Sequence, residues 1–326
     1  MIAPFSRQAR AAQRATASAE AAAAGSVLVV GEALIDVVHR QDGSVDEHPG
    51  GSPANVAITL GRLERDVRLL TWIGEDAYGS VVRRWLGASG VTLAEGSTSA
   101  ARTSLATATL DESGAASYSF EIEWRVPSTV TVDPGTLAIH AGSVAATLAP
   151  GGPDVVELLG RSQPSVTITY DPNVRPTLMG QPLTVAPRIE ELVMLADVVK
   201  VSDEDLAWLY PHRAPETSAA LWQKRQGGLV VMTRGGEGAI AWSPSGIVEV
   251  TAPPTTVADT VGAGDSFMGA LIDGLWSAGL LGGHRRAALR AIDAQTLTSV
   301  LERCAKVAAI TVSRPGANPP RLEELA

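Results

Sequence analysis

The chain has 326 residues, 45% of them hydrophobic, enough to bury a large core in one large domain or two small ones. Its formal net charge is −9 with no basic stripe, which argues against nucleic acid as a partner; that only three of its 26 Lys and Arg residues are Lys reads as a bias of genomic base composition. No apolar run reaches membrane-spanning length, and the single Cys304, in an apolar helical stretch, reads as a packed thiol that excludes an internal disulfide.

Residues 1–24 are rich in Ala, Arg and Ser and lack the apolar block of a secretion signal; they read as a disordered tail or an over-early start, with an amphipathic targeting peptide as the alternative, ahead of a protein expected in the cytoplasm. Beyond them, Val27–Val30, Val67–Trp72, Leu137–His140, Val166–Tyr170, Val198–Val201 and Leu229–Thr233 are continuous apolar or β-branched runs. Such runs suit parallel strands covered on both faces. Helical stretches intervene at Pro53–Arg65, Gly79–Ala88, Pro153–Gly160, Arg188–Leu195 and Thr217–Arg225. The alternation predicts an α/β fold with a doubly wound, mostly parallel sheet. Ile35–His48 and Thr103–Trp124 do not fit it. The second alternates around Asp111–Gly114, with Tyr118, Phe120, Ile122 and Trp124 on one face, as in a sheet covered on one side only.

The run Asp259-Thr-Val-Gly-Ala-Gly-Asp-Ser-Phe267 sets two carboxylates six residues apart around a Gly-Ala-Gly turn, ahead of an apolar helical stretch. Asp265 is therefore expected in the first turn of a helix, with the N–H groups of Gly262, Ala263 and Gly264 pointing into one small space. Free amides at a helix N-terminus make an anion site. A carboxylate beside it suits phosphoryl transfer, in which amides hold developing charge while a base orients the attacking hydroxyl. By itself Asp265 also reads as a helix cap. No Lys follows a Gly, so no G-x-x-x-x-G-K-[ST] loop is available to hold ATP, and the five His residues show no zinc-ligand spacing.

A second string, Gly50-Gly-Ser-Pro-Ala-Asn-Val-Ala-Ile-Thr-Leu-Gly-Arg-Leu63, is followed by Trp72-Ile-Gly-Glu-Asp-Ala-Tyr-Gly79. With Asp259–Phe267 it resembles the two signatures of the ribokinase-like (PfkB) sugar kinase family. The resemblance runs from about Val27 to Pro320. Gly31-Glu-Ala-Leu-Ile-Asp36, Asp171-Pro-Asn-Val-Arg175 and Val199-Lys-Val-Ser-Asp-Glu-Asp-Leu206 look most like its fructokinase branch. It implies one kinase domain over residues 25–326 whose small β-sheet lid comes from about 35–50 and 101–126, and it leaves room for a homodimer through that lid.

The resemblance further implies an ATP-dependent sugar kinase, with Asp265 as base and the Gly262–Gly264 amides on the transferring phosphoryl group. Asp36, which reads as the end of a strand-like run, would bind sugar hydroxyls with Gly50, Gly51 and Asn55; a turn cap and a hinge are the plain alternatives. Arg175 would point into the cleft. Lys200-Val-Ser-Asp-Glu-Asp205 resembles the family's N-x-x-E element, with Ser202 for Asn and Asp205 for Glu; Asp205 would reach magnesium through water, and Ser202 also reads as a helix cap. Thr233, Gly235 and Gly238 match the nucleotide-side turn, which alone is also a plain hairpin, and Ala305 would lie beside the adenine. Asp259, Val261, Val312 and Gly316 match where the family often binds a monovalent cation, potassium. Fructose is the first choice of substrate, with ribose, 2-keto-3-deoxygluconate or a nucleoside as alternatives. A non-catalytic sugar- or nucleotide-binding regulator is the different-class alternative, which an intact Asp265 argues against.

Overall fold

The computed structural model describes residues 25–40, 42–110 and 116–325. The tail of residues 1–24, the turn Asp111–Gly114 and the side chain of Tyr118 lie outside the described residues. Among those described, no helix is long and apolar enough to cross a membrane.

A large sheet organises the chain. Its strands are β1 (Ser26–Val30), β4 (Val67–Leu70), β5 (Thr92–Leu93), β8 (Thr136–Gly142), β9 (Thr167–Asp171), β10 (Val198–Ser202), β11 (Leu229–Thr233), β12 (Ala239–Ser243) and β13 (Gly246–Val250). They lie in the order β13-β12-β11-β10-β9-β8-β1-β4-β5. All pairings from β5 to β11 are parallel, and β12 and β13 add antiparallel strands at one edge. The apolar runs become the parallel strands because both faces are covered. In β1, Val27 and Val29 enter one core and Leu28 and Val30 the other.

Helices α1 (Ser52–Arg62), α2 (Ala77–Gly87), α7 (Ala263–Ser277) and α8 (Ala294–Val312) enclose the first core. The second lies under α3 (Gly151–Ser162), α4 (Pro182–Leu195), α5 (Asp203–Leu209) and α6 (Pro215–Gln226). Cys304 is fully buried in the first core, as expected of a packed thiol.

A separate sheet has the order β3-β2-β6-β7, from β2 (Leu34–His39), β3 (Val45–Gly50), β6 (Leu105–Leu110) and β7 (Ala116–Glu121). Two expectations change here. Asp36 does not end a strand; it lies within β2, opposite His48 of β3 and Ala106 of β6, because the core strand has already stopped at Val30. Trp124 does not continue the alternation of the small sheet. β7 ends at Glu121, and the indole is 1% exposed in the second core, where a large apolar ring gains more from burial. The small sheet is fastened at its base by Asp76, the N-cap of α2. Its carboxylate accepts from the N–H of Gly79, the N–H of Thr103 and the Thr103 hydroxyl, each at 2.7 Å.

Candidate active site

Two cavities open at the C-terminal ends of the parallel strands, where ligands collect in open α/β sheets. The first, about 320 Å³, is lined by Glu32 after β1, Ser143 after β8, Asn173 and Arg175 after β9, Asp36, Phe120 and Ile122 of the small sheet and its exit, and Gly51 and Asn55 at the start of α1. The second, about 620 Å³, is lined by Thr233, Gly235 and Gly238 after β11, and by Ala305 and Val312 of α8. Thr260, Ala263 and Gly264 line both, so the N-terminus of α7 is the wall between them.

That wall is built by the Gly-Ala-Gly turn. Gly262 takes the left-handed conformation, φ 76° and ψ 3°, with Ala317 packed so close that a β-carbon on Gly262 would stand 2.5 Å from it. The Gly264 N–H is a first-turn amide without an intrahelical acceptor. The Ala263 N–H is not available as expected, since it donates to the Thr260 carbonyl at 3.3 Å in closing the turn.

Asp265 is 5% exposed and faces the first cavity. Its Oδ1 accepts from the Ser52 hydroxyl at 2.7 Å and the Asn173 amide at 3.1 Å, and its Oδ2 from the Asn55 amide at 2.8 Å. Two of these donors come from α1, which lies against α7 because residue 269 is glycine; a β-carbon there would meet Thr59 at 2.6 Å.

Behind the turn lies a buried ion pair, Lys200 Nζ to Asp171 Oδ2 at 2.7 Å, with side chains 3% and 0% exposed. A β-carbon on Gly264 would be 2.9 Å from the ammonium, so Lys200 places positive charge directly beneath the turn. Burial pushes the Asp171 carboxyl up to about 6, against the pull of Lys200. Burial also disfavours the ammonium, but Asp171, Asp205 and Asp265 more than offset it and hold Lys200 above its ordinary value. Asp36 keeps an accessible edge toward the cavity, yet the surrounding protein raises its carboxyl, with Arg175 and His48 acting the other way.

The structure brings Asp36, Gly51, Asn55, Arg175 and Asp265 together at the first cavity, and Thr233, Gly235, Gly238 and Ala305 at the second. Gly50 lines neither; it packs against Asp36, whose Oδ2 would be 2.2 Å from a β-carbon there. Lys200 acts from beneath the turn. Ser202 and Asp205 line neither cavity. They close a capping box on α5, and the second Asp205 oxygen accepts the Val174 N–H at 3.1 Å, the arrangement a carboxylate shorter than Glu adopts at its own helix start.

Asp259 spends its oxygens on the Val261 N–H at 3.0 Å and the Gly316 N–H at 2.9 Å, which hold its carboxyl below the usual range. The Val312 carbonyl accepts from Ala258 at 2.8 Å and Asp259 at 3.1 Å. These bonds cross-link two loops, and Val261 lines the first cavity.

Sequence reasoning assigned no role at the site to Ser52, Glu32, Ser143 or Asn173. Ser52 and Asn173 stand inside the quoted motifs, but their contact with Asp265 spans 213 and 92 residues.

A profile described as pfkB family carbohydrate kinase matches residues 24–324. The chain belongs to this family. It is 33% identical over 274 residues to a fructokinase of Rhizobium leguminosarum bv. trifolii, covering 81% of this chain and 83% of that protein. It is 29% identical to a probable fructokinase-2 of Arabidopsis thaliana, covering 90% and 92%. Among solved structures, the fructokinase of Xylella fastidiosa with bound ATP superposes with a TM-score of 0.79 at 27% identity, covering 92% of this chain and 96% of that one. This family member is a sugar phosphotransferase that uses ATP, as the motifs imply, on an α/β fold with a mostly parallel sheet and a smaller separate one.

Proposed function

We propose that the chain transfers the γ-phosphoryl group of ATP to a primary hydroxyl of free fructose, with Asp265 as the base. The observation that carries this reading is the position of Asp265, at the one wall shared by a sugar-sized and a nucleotide-sized cavity. The sugar oxygen attacks the γ-phosphorus, the bond from that phosphorus to the bridging oxygen breaks, ADP leaves, and the hydroxyl proton passes to Asp265. The Gly264 N–H and the buried Lys200 ammonium supply positive potential where charge develops. Phe120 and Ile122 make the four-stranded sheet a lid that excludes water from the acceptor.

Magnesium would arrive with the nucleotide phosphates and its own waters; Asp205, whose oxygens each accept one backbone N–H and which lines neither cavity, would meet it only through water. Fructose is favoured by the named relatives and by the lining of the first cavity. Asp36, Asn55 and Glu32 offer partners for several hydroxyls, and Arg175 is the one cation lining it among the described residues, which argues against a second phosphate on the substrate.

A coupled ADP-release screen over fructose, ribose, 2-keto-3-deoxygluconate, adenosine and fructose 6-phosphate tests the choice; a kcat/KM for fructose below that of any other overturns it. Asp265→Asn is expected to lose at least about 100-fold in turnover while calorimetry still shows both ligands bound. Near-normal turnover with intact binding would remove the base assignment.

A further inference from the structure

We propose that Asn173 is a positioning residue for the base: its amide, turned by Arg175, fixes the Asp265 carboxylate at the wall between the two cavities. This rests on Asp265 being the base. Asn173 holds a positive φ of 37°, uncommon for a residue other than glycine. The conformation is held from both sides. Its own N–H donates to Asp171 Oδ1 at 3.2 Å, and the next N–H, of Val174, donates to Asp205 Oδ1 at 3.1 Å. Asp171 is in turn fixed by Lys200.

The direction of the amide is settled by chemistry. Arg175 Nη1 approaches Asn173 Oδ1 at 2.7 Å, and a guanidinium only donates. The amide oxygen must face Arg175, so the NH2 group faces Asp265 Oδ1 at 3.1 Å.

A carboxylate oxygen has about two acceptor sites. Oδ1 fills both, with Ser52 and Asn173, while Oδ2 takes only Asn55. Oδ2 is therefore the oxygen left to receive the substrate proton. Ser52 and Asn55 both belong to α1 and would let the carboxylate follow that helix. Asn173 comes from the loop after β9 and ties it to the large sheet. Lys200 on β10 and Asp171 on β9 interact by charge with Asp265, with Asp205 of α5 acting on that pair; Arg175, Glu32 and Asp36 line the same cavity, and α1 presents the neutral Ser52 and Asn55.

The test compares kcat–pH profiles, KM for both substrates and thermal stability of the wild type, Asn173→Ala, the near-isosteric Asn173→Asp, and Asp265→Asn. Asn173→Ala is expected to lower kcat by roughly 10- to 100-fold, the scale of a base displaced by less than about an ångström, with each KM changed less than about 3-fold. Asn173→Asp sets a second carboxylate against Oδ1, and should move the acidic limb of kcat upward by about one pH unit or more. Wild-type kcat in Asn173→Ala, or variants that lose stability while the limb stays in place, would overturn the proposal. If Asp265→Asn itself stays active, the base reading on which it rests is what fails.

Discussion

Glu32 shows how burial alone sets the behaviour of one residue. It is 6% exposed, its carboxylate accepts from the Ser143 hydroxyl and, at 3.2 Å, the Ala145 N–H, and no ion pair reaches it among the described residues. Burial pushes it from 4.5 up to about 7, with those bonds and Arg175 acting the other way. The folded state thus keeps a proton that the unfolded chain has already released. The stability tied to this group is whole below pH 4.5 and is lost as pH rises through about 7. The loss is on the order of 3 kcal/mol at most. Asp171 titrates in an overlapping window, so a difference between two proteins is the clean measurement. Glu32→Gln should melt higher than the wild type at pH 8, and the gap should close at pH 4. A gap of equal size at both pH values would mean that packing, not ionisation, separates them. Nothing adjacent in sequence marks Glu32 as buried, since its partner Ser143 is 111 residues away. Asp265 was legible because a nine-residue string surrounds it; Asn173 stood inside a quoted motif, but its role is set by a distant carboxylate.

The helix pair α1 and α7 carries the next dependence. Ser52 and Asn55 reach Asp265 only while the two helices touch, and Gly269 against Thr59 sets that separation. Gly269→Ala should cost about 1–3 kcal/mol by overpacking and lower kcat well beyond its effect on the KM for ATP. Thr59→Gly removes the two nearest obstructing atoms and leaves the Val56 carbonyl at 3.2 Å, so a double-mutant cycle should show the alanine costing less in that background; strict additivity of the two would place the strain elsewhere. Of the elements, the strands covered on both faces were readable, because continuous Val, Ile and Leu runs have few other uses. The antiparallel strands β12 and β13 were not, since β13 at the sheet edge mostly faces solvent and the glycine turn before the pair reads equally as a ligand loop. Trp124 misled for a related reason: period-two alternation continues past Glu121, although the strand does not.

At the scale of the whole molecule, strand order decides where chemistry sits. From β1 the sheet grows one way through β4 and β5 and the other way through β8 to β13, and Glu32 and Ser143 stand at that switch point, with the first cavity above them. The runs and helices in the sequence carried the alternation but not this order, which depends on pairings such as β1 with β8 across more than a hundred residues. The order also puts both cavities on the Thr260–Gly264 segment. A ligand in either one is expected to order that segment, so that the second meets a wall already fixed and binding is cooperative without a large rearrangement. Calorimetry should show fructose binding about 5-fold tighter in the presence of a non-hydrolysable ATP analogue, and the analogue tighter by the same factor with fructose, as linkage requires. Hydrogen exchange at residues 260–264 should slow with either ligand alone. Equal fructose affinity with and without the analogue, together with unchanged exchange at the shared wall, would show that the two cavities act independently.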